Sequence, residues 1–194
     1  MNIVQTAIPG IYILAPRLYG DSRGYFFESY SHREFAERVC RTVFVQDNES
    51  RSRYGVVRGL HFQKPPHAQS KLVRVVEGTV LDVAVDLRRG SPTFGRHVAV
   101  ELSAENHRQL FIPRGFAHGF SVLSDTVVFQ YKCDNYYAPQ SEGAIAWDDP
   151  ALGIDWRVPA AEVLLSDKDR AHPSLAEAGE LFDYSVDYYA GEAR

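Results

Sequence analysis

Short runs rich in β-branched and aromatic residues recur along the chain, and Gly, Pro, Asn and Asp residues separate them. Such runs predict β-strands joined by turns, at 11–17, 24–30, 42–50, 56–63, 71–78, 79–88, 97–103, 108–113, 117–124, 126–133 and 143–147. Helical spacing predicts helices only at 31–39 and 175–186. Strands this frequent, without helices between them, predict an all-β sandwich or barrel rather than a βαβ fold.

The run TVLDVAVDL at 79–87 alternates between two faces, because successive strand residues point to opposite sides of a sheet. One face carries only Leu and Val, and we expect it in the core. The other face carries Asp82 among small residues, which is the pattern expected of a pocket wall.

The length and composition of the chain limit its class. A chain of 194 residues with 45% apolar residues is long enough for one domain, 1–194, with a buried core. The net charge of −4 argues against a general nucleic-acid binder. No apolar run approaches the length of a membrane-spanning helix. Two distant cysteines, Cys40 and Cys133, fit thiols of a cytoplasmic protein better than a disulfide framework.

The stretch RGLHFQ at 58–63 raises the question of what His61 does. Metal sites in β-barrels often use paired histidines with a carboxylate, but Gln63 stands where a His-x-His pair needs its second histidine. Lys71 follows where a carboxylate would help, and a cation repels a metal ion. The sequence therefore predicts no catalytic metal here.

Acid–base chemistry suits His61 better, because a histidine accepts protons near neutral pH and works best beside a carboxylate. Spacing alone does not choose the partner among Asp82, Asp86, Asp167 and Asp169. Tyr131 is either a second proton donor or an aromatic residue that covers the core. His172 lies in a terminal context, and we expect it at the surface.

Several motifs, in order along the chain, resemble one family. They include DSRGYFFES, FVQDNESRSRYGVVRGLHFQ, KLVRVVEGTVLDVAVDLRRGSPTFGRHVAVELSAEN, QLFIPRGFAHGF, YKCDNYYAPQSEGAIAWDDPALGIDW and LLSDKDRAHP. Together they are similar to the dTDP-4-dehydrorhamnose 3,5-epimerase family of the cupin superfamily, from about residue 5 to 173. The resemblance implies a cupin double-stranded β-helix, or jelly-roll, barrel with short peripheral helices, and leaves 174–194 as a peripheral tail.

The resemblance also implies roles for individual residues. His61 resembles the proton-abstracting base, Asp169 its paired carboxylate and Tyr131 the acid on the other face of the sugar. Lys71 resembles a catalytic group near the C4 oxygen. Tyr137 is implied to stack on thymine, and Asp82 is implied to lie behind His118. The full set of residues implied to contact the substrate is Arg23, Phe26, Glu28, Gln46, Asn48, Arg58, His118, Tyr137, Glu142 and Lys168.

The activity implied by the resemblance is inversion of C3 and C5 of dTDP-4-keto-6-deoxy-D-glucose through an enolate, without a cofactor or metal. The pathway implied is dTDP-L-rhamnose synthesis for lipopolysaccharide, in the cytoplasm, with a homodimer that exchanges N-terminal strands. Nucleic acid and membrane are not expected partners. Three alternatives stay open: an epimerase of C3 or C5 alone, a non-catalytic cupin that binds a sugar nucleotide, and a metal-dependent cupin oxygenase.

The strand at 56–63 poses a geometric difficulty. Arg58 and His61 differ by three positions, so a regular strand would point them to opposite faces. Gly59 between them is a natural position for a β-bulge, and we expect one there if both side chains serve one site.

Overall fold

The computed structural model describes residues 1–190, and β-strands dominate this part of the chain. One α-helix, α1, spans His32–Arg38. Fifteen strands, β1 to β15 in chain order, span Asn2–Gln5, Tyr12–Ala15, Tyr19–Asp21, Gly24–Phe26, Gln46–Arg53, Val57–Gln63, Lys71–Glu77, Thr79–Asp86, Arg88–Arg89, His97–Ser103, Gln109–Ile112, Phe116–Val122, Thr126–Cys133, Glu142–Ala144 and Phe182–Asp183. The all-β prediction is confirmed.

Two antiparallel sheets build the barrel. The larger sheet has six strands in the order β1-β2-β11-β7-β13-β5, and the smaller has five in the order β10-β8-β12-β6-β14. Neighbours in space are mostly distant in sequence, so the sheets form only when strands from the whole chain assemble. Two short pairs, β3 with β4 and β9 with β15, lie outside these sheets.

The main core fills the space between the two sheets. Val73, Leu110 and Phe129 of the larger sheet belong to one buried cluster with Val80 and Phe120 of the smaller sheet. Burial of such side chains is the principal stabilising contribution to a fold of this kind.

A second apolar layer covers the outer face of the five-stranded sheet. Leu81 and Val83 of β8 pack there with Ile145, Trp156 and Phe182 from the chain that follows the barrel strands. Both faces of β8 are therefore buried, and alternation directs Asp82 towards the barrel interior.

The helix predicted at 31–39 is confirmed, but the one predicted at 175–186 is wrong. The second segment forms turns, and Gly179 adopts a left-handed φ of 66°. Leu175 and Phe182 are both buried against the outer apolar layer, and β15 pairs in parallel with β9. The packing of Leu175 and Phe182 therefore determines the path of this segment, although its apolar spacing is typical of a helix. Of the predicted tail, 191–194 lie outside the described residues.

The bulge expected at Gly59 is present. Where β6 pairs with β12, the two residues Gly59 and Leu60 lie opposite the single residue Gly119. Gly59 has a φ of 120° and precedes a cis peptide bond. The extra residue changes the phase of β6 between Arg58 and His61.

Among residues 1–190, no helix has the length and apolar character needed to cross a membrane.

Candidate active site

His61 and Asp169 form a close pair. His61 projects from β6, whereas Asp169 lies on a 3-10 turn, Asp169–Ala171, far along the chain. His61 Nε2 is 2.6 Å from Asp169 Oδ1. Ser166 donates its hydroxyl to Asp169 Oδ2 at 2.7 Å and accepts the backbone N–H of Asp169 at 3.1 Å. Both carboxylate oxygens are therefore held in fixed directions.

The charge state of Asp169 follows from these contacts. Burial raises the pKa of Asp169, but hydrogen bonds from His61 and Ser166 outweigh burial and lower the pKa to about 2. An ionised carboxylate beside Nε2 favours the tautomer that carries its proton on Nε2. The lone pair of a neutral His61 is then on Nδ1, which is the arrangement of an oriented base.

A second histidine–carboxylate pair lies deeper in the barrel. His118 of β12 is directly opposite His61 of β6 in the sheet, and its Nε2 is 2.9 Å from Asp82 Oδ2 and 3.1 Å from Asp82 Oδ1. Burial lowers the pKa of His118 and raises the pKa of Asp82, and the attraction between the two opposes both shifts. His118 is thereby fixed as a hydrogen-bonding group.

The facing sheet contributes Lys71 and Tyr131. The Lys71 ammonium lies 6.0 Å from the centre of the Tyr131 ring. Burial lowers the pKa of Lys71, while the nearby carboxyl groups of Asp82 and Glu142 favour its protonated form. Burial raises the pKa of Tyr131, so this phenol keeps its proton at neutral pH.

His61, Lys71 and Tyr131 line one cavity of about 250 Å³, whereas Asp169, His118 and Asp82 are not part of its lining. His61 reaches it from the five-stranded sheet, and Lys71 and Tyr131 reach it from the six-stranded sheet. A flat ligand between the sheets would thus have the histidine on one face and the phenol on the other.

Gln63 holds the loop at the rim of the cavity through hydrogen bonds, and the sequence alone did not indicate this structural role. Its amide nitrogen donates to the backbone oxygens of His67 and Tyr136, and its oxygen accepts the N–H of Ala138. Gln63 thus takes the place of a second histidine and fixes the loop that carries Tyr137. Tyr137 also donates its backbone N–H to the side chain of Gln46 at 3.1 Å.

The remaining rim groups are polar and charged. Gln46 donates to Asn48 at 3.1 Å, and both line the cavity together with Glu142. Lys168 is 3.5 Å from Glu142 and precedes Asp169 in the chain. These four side chains, predicted from three separate motifs, gather at one opening.

Arg58 reaches across to the opposite sheet. Its guanidinium donates to the hydroxyl of Ser52 on β5 at 3.2 and 3.3 Å, and it lines a depression that also includes Ser166 and Asp169. The bulge at Gly59 therefore accompanies an Arg58 that faces the His61 side of the barrel.

Arg23, Phe26 and Glu28 do not line this cavity within the chain. All three are exposed, and Arg23 pairs with its neighbour Asp21 at 2.6 Å. Phe26 is 71% exposed on the short hairpin of β3 and β4. Tyr25 beside it is 62% exposed, and adjoining exposed aromatic residues are typical of an interaction surface.

His172 is the main correction to the sequence prediction. Expected at the surface, it lies partly buried beside the His61–Asp169 pair, with its ring 5.6 Å from the ring of His61. Its Nε2 is 3.4 Å from Asp169 Oδ1, and the side chain is 18% exposed. The spacing of three residues from Asp169 on one tight turn was the signal that could have revealed this neighbour.

The family model described as dTDP-4-dehydrorhamnose 3,5-epimerase matches residues 5–177. The chain is 56% identical over 180 residues to the dTDP-4-dehydrorhamnose 3,5-epimerase of Salmonella typhimurium (strain LT2), an alignment that covers 92% of this chain and 97% of that protein.

Solved structures give the same result and confirm the cupin-type barrel. The dTDP-6-deoxy-D-glucose-3,5-epimerase of Legionella pneumophila, in complex with dTDP-4-keto-L-rhamnose, superimposes with a TM-score of 0.91 at 50% identity and covers 95% of this chain and 99% of its own. A less similar neighbour, a 3'-monoepimerase from Streptomyces bikiniensis in complex with dTDP-quinovose, has a TM-score of 0.85 at 34% identity, covering 92% of each chain.

Proposed function

The chain belongs to the dTDP-4-dehydrorhamnose 3,5-epimerase family and is an isomerase of dTDP-rhamnose biosynthesis, and we propose that His61 and Tyr131 perform its two proton transfers. This assignment rests on one observation: the two side chains line the same cavity and come from opposite sheets. An epimerase must remove a proton from one face of a carbon and return one to the other face.

His61 is the base in this proposal. In a 4-keto sugar the hydrogens on C3 and C5 are both α to the C4 carbonyl, so removing either leaves an enolate. Asp169 holds the Nε2 proton and stabilises the imidazolium that forms when Nδ1 accepts the substrate proton. The carboxylate itself does not take the proton, because its pKa is only about 2.

Tyr131 is the acid. Its raised pKa keeps the phenol protonated until the enolate carbon takes the proton. Protonation from the phenol side inverts the centre, and the phenolate is then reprotonated for the next turnover.

The enolate charge develops on the C4 oxygen, and preorganised donors there lower the barrier. Lys71 supplies a cation for this oxygen, and Asp82 holds the ring of His118 in a fixed orientation. Fixed donors of this kind do not reorganise during the reaction, so no cofactor is needed for the step.

The nucleotide occupies the rim. A diphosphate is well matched to Arg58 and Lys168, because charge-assisted hydrogen bonds to phosphate are strong even in an acidic protein. Gln46, Asn48 and Glu142 offer hydrogen bonds, and Tyr137, which is 54% exposed, offers a ring on which thymine stacks.

The full site requires a second copy of the chain in our proposal. Arg23, Phe26 and Glu28 are the substrate contacts that the single chain leaves away from the cavity. A homodimer that exchanges N-terminal strands would bring them to the partner's site. The exposure of Tyr25 and Phe26 on the hairpin supports this, since a dimer would cover them.

We also propose one domain, 1–194, in the cytoplasm, which supplies a rhamnose donor for lipopolysaccharide. The buried thiol of Cys133 supports the location, because structural disulfides belong to oxidising compartments.

The test is solvent exchange in D2O with dTDP-4-keto-6-deoxy-D-glucose, followed by NMR of the product. Deuterium at both C3 and C5 with inversion at both is the expected result. Label and inversion at one carbon would instead identify an epimerase of C3 or C5 alone. Binding of substrate without any exchange would identify a binding module.

A further inference from the structure

Three metal-ligating side chains meet at the edge of the cavity. One ligand atom each from His61, Asp169 and His172 lies within 4.8 Å of the others. Asp169 Oδ1 is central, at 2.6 Å from His61 Nε2 and 3.4 Å from His172 Nε2. Asp169 and His172 lie one turn apart, so only His61 comes from a distant part of the chain.

His172 Nε2 is buried and makes no hydrogen bond to any described residue. A buried ring nitrogen without a hydrogen bond costs free energy, so such a group needs a reason to be there. No step of the epimerase reaction proposed above uses His172 as a proton donor or acceptor.

The spacing suits a transition metal. Ligands at about 2.0–2.1 Å from a tetrahedral Zn²⁺ are about 3.3 Å apart. The separation between Asp169 Oδ1 and His172 Nε2 is already close to that value, and the His61–Asp169 contact needs to open by less than about 1 Å.

The surroundings of Asp169 resemble the outer shell of a metal ligand. Ser166 donates to Oδ2, which leaves Oδ1 to face the two histidines. Hydrogen bonds of this kind orient ligating carboxylates. Two imidazoles and one carboxylate favour Zn²⁺ and similar transition metals over Mg²⁺ or Ca²⁺, which prefer oxygen ligands.

We propose that His61, Asp169 and His172 form a binding site for a divalent transition metal of the Zn²⁺ class, and that its occupation blocks epimerase activity. The site itself rests on geometry, whereas the inhibitory effect rests on the proposed function of His61.

The block follows from the two nitrogens of His61. A neutral imidazole that binds the metal through Nε2 carries its single proton on Nδ1. The proton that Nε2 held for Asp169 has then moved to Nδ1, with no net gain or loss. Nδ1 has no lone pair left to accept a proton from C3 or C5, so enolate formation stops.

The test starts with direct metal binding to the metal-free, full-length protein. Titration with Co²⁺ should give the visible absorption of a tetrahedral site at one ion per chain, and Zn²⁺ should displace it. His172→Gln should weaken binding by at least about tenfold, because even outer-shell changes cost that much. His32→Gln, which alters a histidine on α1 instead, serves as the matched control.

Activity assays complete the test. ZnCl₂ should inhibit turnover, MgCl₂ should not, and His172→Gln should need at least about tenfold more ZnCl₂ for the same inhibition. Without added metal, that variant should keep the turnover of the unchanged protein.

Two results would overturn the proposal. The first is Co²⁺ binding or Zn²⁺ inhibition that is unaffected by His172→Gln. The second is Co²⁺ binding that depends on His172 and yet leaves turnover unchanged, which would also remove His61 from its role as the base. Because Co²⁺ binding is measured without substrate, it tests the site even where the epimerase mechanism fails.

Discussion

His61 Nε2 lies 2.6 Å from Asp169 Oδ1, and the two residues are 108 positions apart in the chain. Only the folded barrel brings them together, and the pair combines an oriented imidazole with a carboxylate whose pKa is about 2. The contact is the basis of the first prediction.

Asp169→Asn should reduce kcat because the amide no longer stabilises the imidazolium of His61 by charge. We expect a loss of roughly 10²- to 10⁴-fold, the range of general acid–base catalysis. Steady-state kinetics with dTDP-4-keto-6-deoxy-D-glucose measure this, and dTDP affinity should stay constant.

Asp167→Asn is the matched control, because Asp167 is an exposed carboxylate two positions earlier in the same segment. Equal activity of the two variants would contradict the pairing of His61 with Asp169 in catalysis.

Tyr131→Phe should separate proton removal from proton return. The ring stays, so packing against Phe129 is preserved, but the donor is lost. We expect formation of inverted product to fall roughly 10²- to 10⁴-fold. Exchange of the C3 and C5 hydrogens with D2O should persist, because His61 still removes them.

NMR of recovered substrate detects this exchange. Tyr184→Phe removes a hydroxyl from an exposed ring and should change neither quantity. Loss of exchange and inversion in equal measure in Tyr131→Phe would show that the phenol does not act as a separate acid.

Much of the fold could be predicted from local patterns, because the strands alternate and turn residues separate them. The alternation along β8 also placed Asp82 correctly on an inner face. The segment 175–186 was misread because its apolar spacing fits a helix equally well, and only contacts with the outer sheet face decide between a helix and an extended path.

In the candidate site, too, features with a local sequence pattern could be predicted and features that depend on distant contacts could not. The residue pattern predicted that His61 is a base and left its partner open among four aspartates, since partners so far apart leave no local signal. Only the family resemblance implied Asp169. The contacts of Gln63 with Tyr136 and Ala138 were missed for the same reason. His172 differs, because its spacing of three residues from Asp169 was a local signal that was not used. Arg58 was a partial exception, because Gly59 beside it signalled the bulge.

Lys71 leads to a prediction on pH. Burial lowers the pKa of its ammonium group, and only the charged form stabilises the enolate oxygen as a cation. The fraction of charged Lys71 therefore falls at a lower pH than for an exposed lysine, and kcat should decline on the alkaline side correspondingly early. A profile of kcat against pH measures this limb.

Lys71→Arg keeps a cation that does not deprotonate in this range. It should shift the alkaline decline to higher pH, even if its different shape lowers the maximum. Lys64→Arg, at a position on the chain just after β6, should leave the profile unchanged. An identical alkaline limb in Lys71→Arg would assign that limb to another group.

Gly59→Ala should destabilise the barrel and disturb the site together. A Cβ at this position would lie 2.6 Å from Gly119 Cα and 2.7 Å from the backbone oxygen of His118. Both contacts are backbone atoms of the paired strand, so a side-chain rotation does not relieve them. The φ of 120° is itself unfavourable for alanine.

We expect the free energy of unfolding to fall by about 2–4 kcal/mol, from combined strain and overpacking. Urea denaturation measures the loss, and kcat should fall as well because the bulge sets the direction of Arg58 relative to His61.

Gly153→Ala is the control: it also has a positive φ, of 58°, but its Cβ would have no atom within 4 Å. That variant should lose only about 1 kcal/mol, and equal losses in the two variants would show that the close approach of β6 to β12 does not require glycine.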